Sequence, residues 1–203
     1  MHMLHSIQDG NIRYMLIAAI VGFVLLVVIV VFASPRISPI PYFPSHKKDI
    51  PLIVSSLKIS NNQVIFDLGA GDGVVIFAAA LDAYRQNINT RFVAIELNPI
   101  LGVILHLRRL FHPNRNQITI AIGNMFRVDY PEFIGSDAPT FYIYVSPRFI
   151  PRIINHVRIS QPHFRLVSYF YPIYQGQISL ANGEHPIFAS DINNTFMKQF
   201  LKT

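Results

Sequence analysis

Val64-Ile65-Phe66-Asp67-Leu68-Gly69-Ala70-Gly71-Asp72-Gly73 is the stretch on which the reading of this chain turns. The first five residues, mostly β-branched or aromatic, predict a buried strand, and glycine at every second position after them predicts a tight turn. Glycine tolerates positive φ and leaves no Cβ between the backbone and a ligand lying over the strand end. A nucleotide-like ligand is therefore expected at Gly69, Gly71 and Gly73. The dinucleotide fingerprint, G-x-G-x-x-G, aims a helix N-terminus at a pyrophosphate. Here the sixth position is Val74, and the strand carries Asp67, a carboxylate that repels phosphate and attracts a cation.

S-adenosylmethionine has such a cation and no phosphate. The next carboxylate to close a hydrophobic run is Glu96, in Arg91-Phe92-Val93-Ala94-Ile95-Glu96, 23 residues beyond Gly73. At the end of a second parallel strand it would present an acceptor pair to ribose hydroxyls. Three spaced glycines alone are as well explained by an ordinary strand-to-helix turn. The strand before them, the apolar helix after them and Glu96 favour a cofactor site.

Outward from this centre, strands and helices alternate. Helices are expected at Asp49–Leu57, Val74–Tyr84, from Pro99 to about Phe111, and from about Pro147 to Val157. Strands are expected at Gln63–Asp67, Arg91–Glu96, Gln117–Ile122, Thr140–Val145 and Phe164–Ser168. Strands separated by helices mean a parallel sheet. Gln177–Leu180 and Pro186–Ser190 flank Asn182-Gly183, which predicts a closing antiparallel hairpin with a two-residue turn.

N-terminal to this domain, Met15 to Ala33 is 19 residues without a charge. As a helix it is roughly 28 Å long, close to the hydrocarbon thickness of a bilayer. The organisation expected is a tail at 1–13, a transmembrane helix at 14–33, a Pro-rich linker and approach segment at 34–48, and the catalytic domain at 49–203. A cleaved secretory signal is the alternative, but its apolar region is usually shorter. Arg13 stands before the apolar run while Arg36, Lys47 and Lys48 follow it, so the C-terminal side is expected to face the cytosol, or the matrix if the protein is mitochondrial. The chain has no cysteine, which excludes a disulfide scaffold. From residue 49 onward 13 Lys and Arg face 10 Asp and Glu, too even for a surface that tracks phosphates, and no nucleic-acid partner is expected. Arg108 and Arg109 fit a solvated helix face or a position near anionic lipid headgroups. The eight histidines show no paired metal-ligand spacing, so no metal is expected. Asn193-Asn194-Thr195 is a formal glycosylation sequon, without consequence in a cytosolic domain.

Pro41-Tyr42-Phe43-Pro44-Ser45, Asp67-Leu68-Gly69-Ala70-Gly71-Asp72-Gly73 and Glu96-Leu97-Asn98-Pro99, behind one hydrophobic anchor, resemble the small membrane-anchored protein lysine methyltransferases related to those acting on the ATP synthase c subunit and the adenine nucleotide translocase. Phe141-Tyr142-Ile143-Tyr144-Val145-Ser146-Pro147 and Ser168-Tyr169-Phe170-Tyr171-Pro172 match that family's later segments. The resemblance implies an α/β, Rossmann-like methyltransferase fold: a doubly wound, mostly parallel sheet ending in an antiparallel hairpin. It also implies a protein substrate presenting lysine, membrane-bound or membrane-associated. Its cofactor residues carry over to Asp67, Gly69, Gly71, Gly73, Glu96 and Asn124, the last standing where the family has an acid. Ala70 and Val74 replace the family's serine and basic residue. Asn124 can still accept and donate at an adenine amine.

Methyl transfer from a sulfonium is an in-line displacement that needs alignment, desolvation and an unprotonated nucleophile, not a triad. No individual catalytic residue is assigned. Tyr42, Tyr144, Phe170 and Tyr171 are candidates to line a channel for the amine, although aromatics taken singly more often pack a core. Two further readings stand beside this one: a small-molecule or lipid methyltransferase, and a cofactor-binding scaffold without turnover, for which Ala70, Val74 and Asn124 are the motive.

Overall fold

A computed structural model of the chain describes residues 12–26, 43–130, 138–193 and 195–196. The chain divides into two compact units, Met1–Pro39 and Ile40–Thr203. In the first, residues 12–26 form α1, exposed along its whole length. The transmembrane helix expected at 14–33 reaches past this element, since residues 27–33 lie outside the described residues. Among the described residues no helix is long and apolar enough to cross a membrane.

The second unit is built on a seven-stranded sheet. Its strands are β1 (Val64–Leu68), β2 (Arg91–Glu96), β3 (Ile118–Ile122), β4 (Thr140–Ile143), β5 (Phe164–Tyr169), β6 (Ala181–Asn182) and β7 (Pro186–Ile192), in the order β3-β2-β1-β4-β5-β7-β6. The first five are parallel, and β7 runs antiparallel to β5 and β6. Every residue of β1 is buried because helices cover both faces of the sheet, which is why its sequence is continuously apolar apart from Asp67.

Side chains alternate between two core layers. Ile65, Phe92, Ala94, Tyr142 and Val167 pack against α2 (Ile50–Ser56), α3 (Val74–Arg85) and Leu105 of α4 (Pro99–Leu110). Phe66, Val93, Phe141 and Ile143 pack against α5 (Ile150–Ser160) and Tyr130, with the Phe66 and Phe141 rings stacked at 4.6 Å. Right-handed crossovers require this division, with α3 and α4 on one face and α5 on the other.

Helix starts follow local chemistry. At α4, Pro99 occupies the first turn and Asn98 Oδ1 accepts the Ile100 N–H at 2.9 Å. At α5 the expected start at Pro147 is corrected to Ile150, because Pro147–Phe149 winds as a 3₁₀ turn. Strand β4 ends at Ile143 rather than Val145, so Tyr144 leaves the sheet at its carboxyl end.

The hairpin differs most from expectation. Residues 177–180 are not a strand, and the two-residue Asn182-Gly183 turn does not form. The strand pairing with β7 is Ala181–Asn182, and the connection runs through Gly183, Glu184 and His185. The Gln177 side chain, which donates to Ala189 O and Ser190 Oγ, ties its segment to β7 in place of a ladder. The turn is shaped by the buried Asp49 carboxylate, which accepts the N–H groups of Glu184 at 2.7 Å and His185 at 3.1 Å. A Cβ on Gly183 would lie 2.0 Å from Asp49 Oδ1, so a larger residue there would push the carboxylate aside.

Strand order reverses between β1 and β4. In open parallel sheets the crevice beyond the carboxyl ends at such a switch point is where ligands bind. Register pairs Asp67 with Ala94 on one side and Tyr142 on the other, so the Asp67 carboxylate stands beside that crevice.

Candidate functional site

The glycine loop turns through three left-handed residues, Gly69 at φ 84°, Gly71 at 59° and Gly73 at 78°. Gly73 is also crowded: a Cβ there would lie 2.5 Å from Leu105 Cδ2 and 2.7 Å from Phe77 Cε2. The loop's amides are already occupied. Gly69 and Ala70 N–H both donate to Ile95 O, at 2.9 and 3.0 Å, Gly71 N–H to Glu96 Oε2 at 2.7 Å, and Gly73 N–H to Ala70 O at 2.8 Å. These four N–H groups are therefore not a free cradle for a phosphate.

Carboxylates gather around the loop. Asp67 is buried, and its carboxyl is pushed up to about 8, first by burial and then by the charges of Glu96 and Asp72, against a hydrogen bond from the Ile76 N–H. Asp72 is paired with Arg108 at 3.0 Å, and among the described residues no ion pair reaches Asp67 or Glu96. Asp67 and Glu96 thus leave negative charge at the loop without a cationic partner, which suits a cationic ligand.

Glu96 has a second task that sequence reasoning missed. Besides Gly71, it accepts the Asn98 N–H on Oε1 at 2.8 Å, so both carboxylate oxygens already knit the loop to the end of β2. Each oxygen retains a lone pair for a ribose hydroxyl. Asn98 Nδ2 is buried without a hydrogen-bond partner among the described residues. Asn124 follows β3 in an Asx turn, its Oδ1 accepting the Phe126 N–H at 2.9 Å. Its oxygen keeps a second lone pair, so Asn124 can still accept from an adenine amine as well as donate through its NH₂.

Of the expected channel residues, Tyr42 lies outside the described residues. Tyr144, Phe170 and Tyr171 are brought together at the carboxyl ends of β4 and β5, with ring centroids 6.5 Å apart for Tyr144 and Phe170 and 4.7 Å for Phe170 and Tyr171. Phe170 holds φ 73°, unusual for a bulky residue, and is fixed by its N–H donating to Pro186 O at 2.8 Å. The Tyr144 hydroxyl has its pKa raised by burial and by Tyr171, so it remains a donor at neutral pH.

Beside these rings is a polar network that sequence reasoning did not single out. Tyr169 Oη donates to Asp49 Oδ2 at 2.6 Å and lies 2.8 Å from His185 Nδ1. With its proton committed to Asp49, Tyr169 Oη must accept from His185. Nδ1 then carries a proton. Burial tends to raise the Asp49 carboxyl, but hydrogen bonds from Tyr169, the two hairpin amides and His185 outweigh it and hold the carboxyl below its usual range. Asp49 occupies the N-cap position of α2 yet does not cap it, so a capping signature would have misassigned it. Nearby, Ser45 Oγ lies 2.8 Å from the Tyr142 hydroxyl.

A solved RNA methyltransferase from Salinibacter ruber, crystallised with S-adenosyl-L-homocysteine, superposes over 75% of this chain and 95% of its own, with a TM-score of 0.60 at 18% identity. The chain has the Rossmann-like methyltransferase fold. No family model matches this methyltransferase-fold chain. Among curated proteins it is similar to a protein-lysine N-methyltransferase of Saccharolobus islandicus (strain REY15A), 30% identical over 95 residues, which cover 46% of this chain and 55% of the relative. It is also similar to the Homo sapiens lysine N-methyltransferase of the ATP synthase c subunit, 29% identical over 135 residues, or 64% of this chain and 54% of the relative. The chain thus spans about half the length of the curated relatives it matches.

Proposed function

We propose that this protein is a membrane-anchored, S-adenosylmethionine-dependent methyltransferase that modifies lysine in a membrane or membrane-associated protein, its catalytic unit facing the cytosol or the mitochondrial matrix. The observation that carries the cofactor half is the pair of acids Asp67 and Glu96, without an ion-pair partner among the described residues, beside a glycine loop whose N–H groups at 69, 70, 71 and 73 are already satisfied. Such a site repels a pyrophosphate and favours an adenosyl ligand bearing an ammonium and a sulfonium. Similarity to two lysine methyltransferases supports the acceptor half, and the uncharged run from Met15 to Ala33 supports the anchor.

When bound, S-adenosylmethionine supplies an electrophilic methyl group on sulfur. Asp67 would hold its cationic amino acid end, Glu96 its ribose hydroxyls and Asn124 its adenine. The backbone of Gly69, Gly71 and Gly73 lets the ligand lie close. On the acceptor side, Tyr144, Phe170 and Tyr171 present ring faces to a lysine and exclude water from it, which lowers the amine's pKa toward the neutral nucleophile. His185, its Nδ1 held by Tyr169 and Asp49 and its ring 4.9 Å from that of Phe170, would take the proton that the ammonium sheds.

Calorimetric titration of S-adenosylmethionine and S-adenosylhomocysteine into the full chain in detergent tests the cofactor half. Saturable binding of both is expected, and no binding by a cooperatively melting protein would remove the reading. Incubation with methyl-labelled cofactor and membrane fractions tests the acceptor half. Label in polypeptide that hydrolyses to methyl-lysine supports it, whereas label confined to the lipid extract replaces it with a lipid methyltransferase.

A further inference from the structure

We propose that the outer face of α4 rests on an anionic lipid bilayer. The helix buries Leu101, Gly102 and Leu105 against the sheet, as a flanking helix must. Its opposite side should be polar. Instead Val103, Leu107, Leu110 and Phe111 repeat at helical spacing and stand 57, 53, 57 and 87% exposed, with Ile104 beside them. Exposed His106 stands within this stripe as its one polar side chain, and an apolar patch of this kind marks an interaction surface.

Charge selects the occupant. From residue 97 to residue 128 the sequence has four arginines and no Asp or Glu, and of the four Arg108 is paired with Asp72. Arg115 donates to the Leu110 carbonyl at 3.5 Å and Arg109 to the Arg115 carbonyl at 3.1 Å, so both guanidinium groups lie at the C-terminal end of α4, next to Phe111. An apolar stripe flanked by cations is the pattern of a helix lying in the headgroup region of an anionic membrane, aromatic and aliphatic side chains down and arginines at the phosphates. A second copy fits less well, since residues 97–128 offer no Asp or Glu to meet the other copy's arginines. The acceptor side stays open in this pose. α4 packs on β2 and β3, at one end of the sheet, while the aromatic cluster stands at the ends of β4 and β5 on the far side of β1. The inference is independent of the group methylated and rests on the proposed anchoring only for bringing the chain to a bilayer.

The absence of cysteine permits a clean test on the full chain. Val103→Cys, Leu107→Cys, Phe111→Cys and, as a control, Ile178→Cys are labelled one at a time with an environment-sensitive fluorophore. Ile178 is 89% exposed in the turn before β6. Each variant, checked for wild-type melting, is reconstituted with phosphatidylcholine vesicles with or without phosphatidylglycerol, carrying nitroxide-labelled lipid. The α4 labels should be quenched severalfold more than the label at Ile178, and the excess should fall without phosphatidylglycerol or on combined Arg109→Gln and Arg115→Gln. A chain that floats with the vesicles but shows no excess quenching at α4 overturns this proposal alone. A chain that does not float overturns it together with the anchoring, leaving cofactor binding standing. Shielding of the α4 labels without lipid, at a sedimentation coefficient of a dimer, overturns it in favour of a second copy.

Discussion

Replacing Glu96 by glutamine separates the carboxylate's structural and ligand-holding roles. In the folded protein Oε2 accepts Gly71 N–H at 2.7 Å and Oε1 accepts Asn98 N–H at 2.8 Å, in a setting only 7% exposed. Glutamine keeps one oxygen but turns an NH₂ toward the other N–H. One charge-assisted bond is lost and the other becomes neutral, a combined cost of about 2–4 kcal/mol. Part of this is returned, because Glu96 helps hold the neighbouring Asp67 carboxyl up at about 8, and removing its charge relieves that repulsion. A net loss of about 2–3 kcal/mol lowers the melting temperature of a domain this size by roughly 4–12 °C. Losing the charged ribose acceptor costs a further ~1.5–3 kcal/mol in binding, a drop of roughly ten- to hundredfold in S-adenosylhomocysteine affinity. Differential scanning fluorimetry and calorimetry read the two effects. A Glu96→Gln protein that melts within about 2 °C of wild type and binds with unchanged affinity refutes the reasoning.

Cofactor affinity should depend on pH through Asp67. A cation favours the ionised carboxylate, so binding lowers a pKa that stands at about 8 in the free protein and releases a proton below that value. Affinity should rise with pH by up to about tenfold per unit and level off above about 8, a dependence that titrations in buffers of different ionisation heat detect and that Asp67→Asn abolishes. Gly183→Ala should destabilise the protein by about 1–3 kcal/mol, because its Cβ meets Asp49 Oδ1 at 2.0 Å; in an Asp49→Ala background the same substitution should cost much less, and equal costs would sever the proposed contact. Asp49 has a lowered folded pKa, so the stability it contributes is present above its ordinary value of 3.8 and is lost as pH falls through the folded value. Melting curves of wild type and Asp49→Asn should therefore converge in strong acid and diverge toward neutrality. His185→Gln should lower turnover while leaving cofactor affinity unchanged, and equal losses in both would argue for a merely structural role.

Regular alternation carried most of the fold. β1 and β2 are continuous apolar runs ended by acids or glycine, and their positions follow from burial on both faces, a property of the sequence itself. Gly69, Gly71, Gly73, Asp67 and Glu96 were legible because local rules bind them: left-handed turns demand glycine, and a lone acid in an apolar strand demands a reason. What escaped was determined over long separations. Asp49 lies 120 residues from Tyr169 and 136 from His185, and no local pattern links the three. The hairpin failed for the same reason, since Asn182-Gly183 favours a two-residue turn until Asp49, far upstream, claims the next two amides.

That long-range tie bears on how the molecule is made. Asp49 leaves the ribosome well before the hairpin that satisfies it, and meanwhile β1 through β4 can already pair. Closing a loop of this length is slow relative to local pairing. The glycine-loop half of the crevice can therefore mature first, and the aromatic half is completed when the last strand folds back. An incomplete chain would have its glycine-loop side formed before the aromatic cluster is assembled.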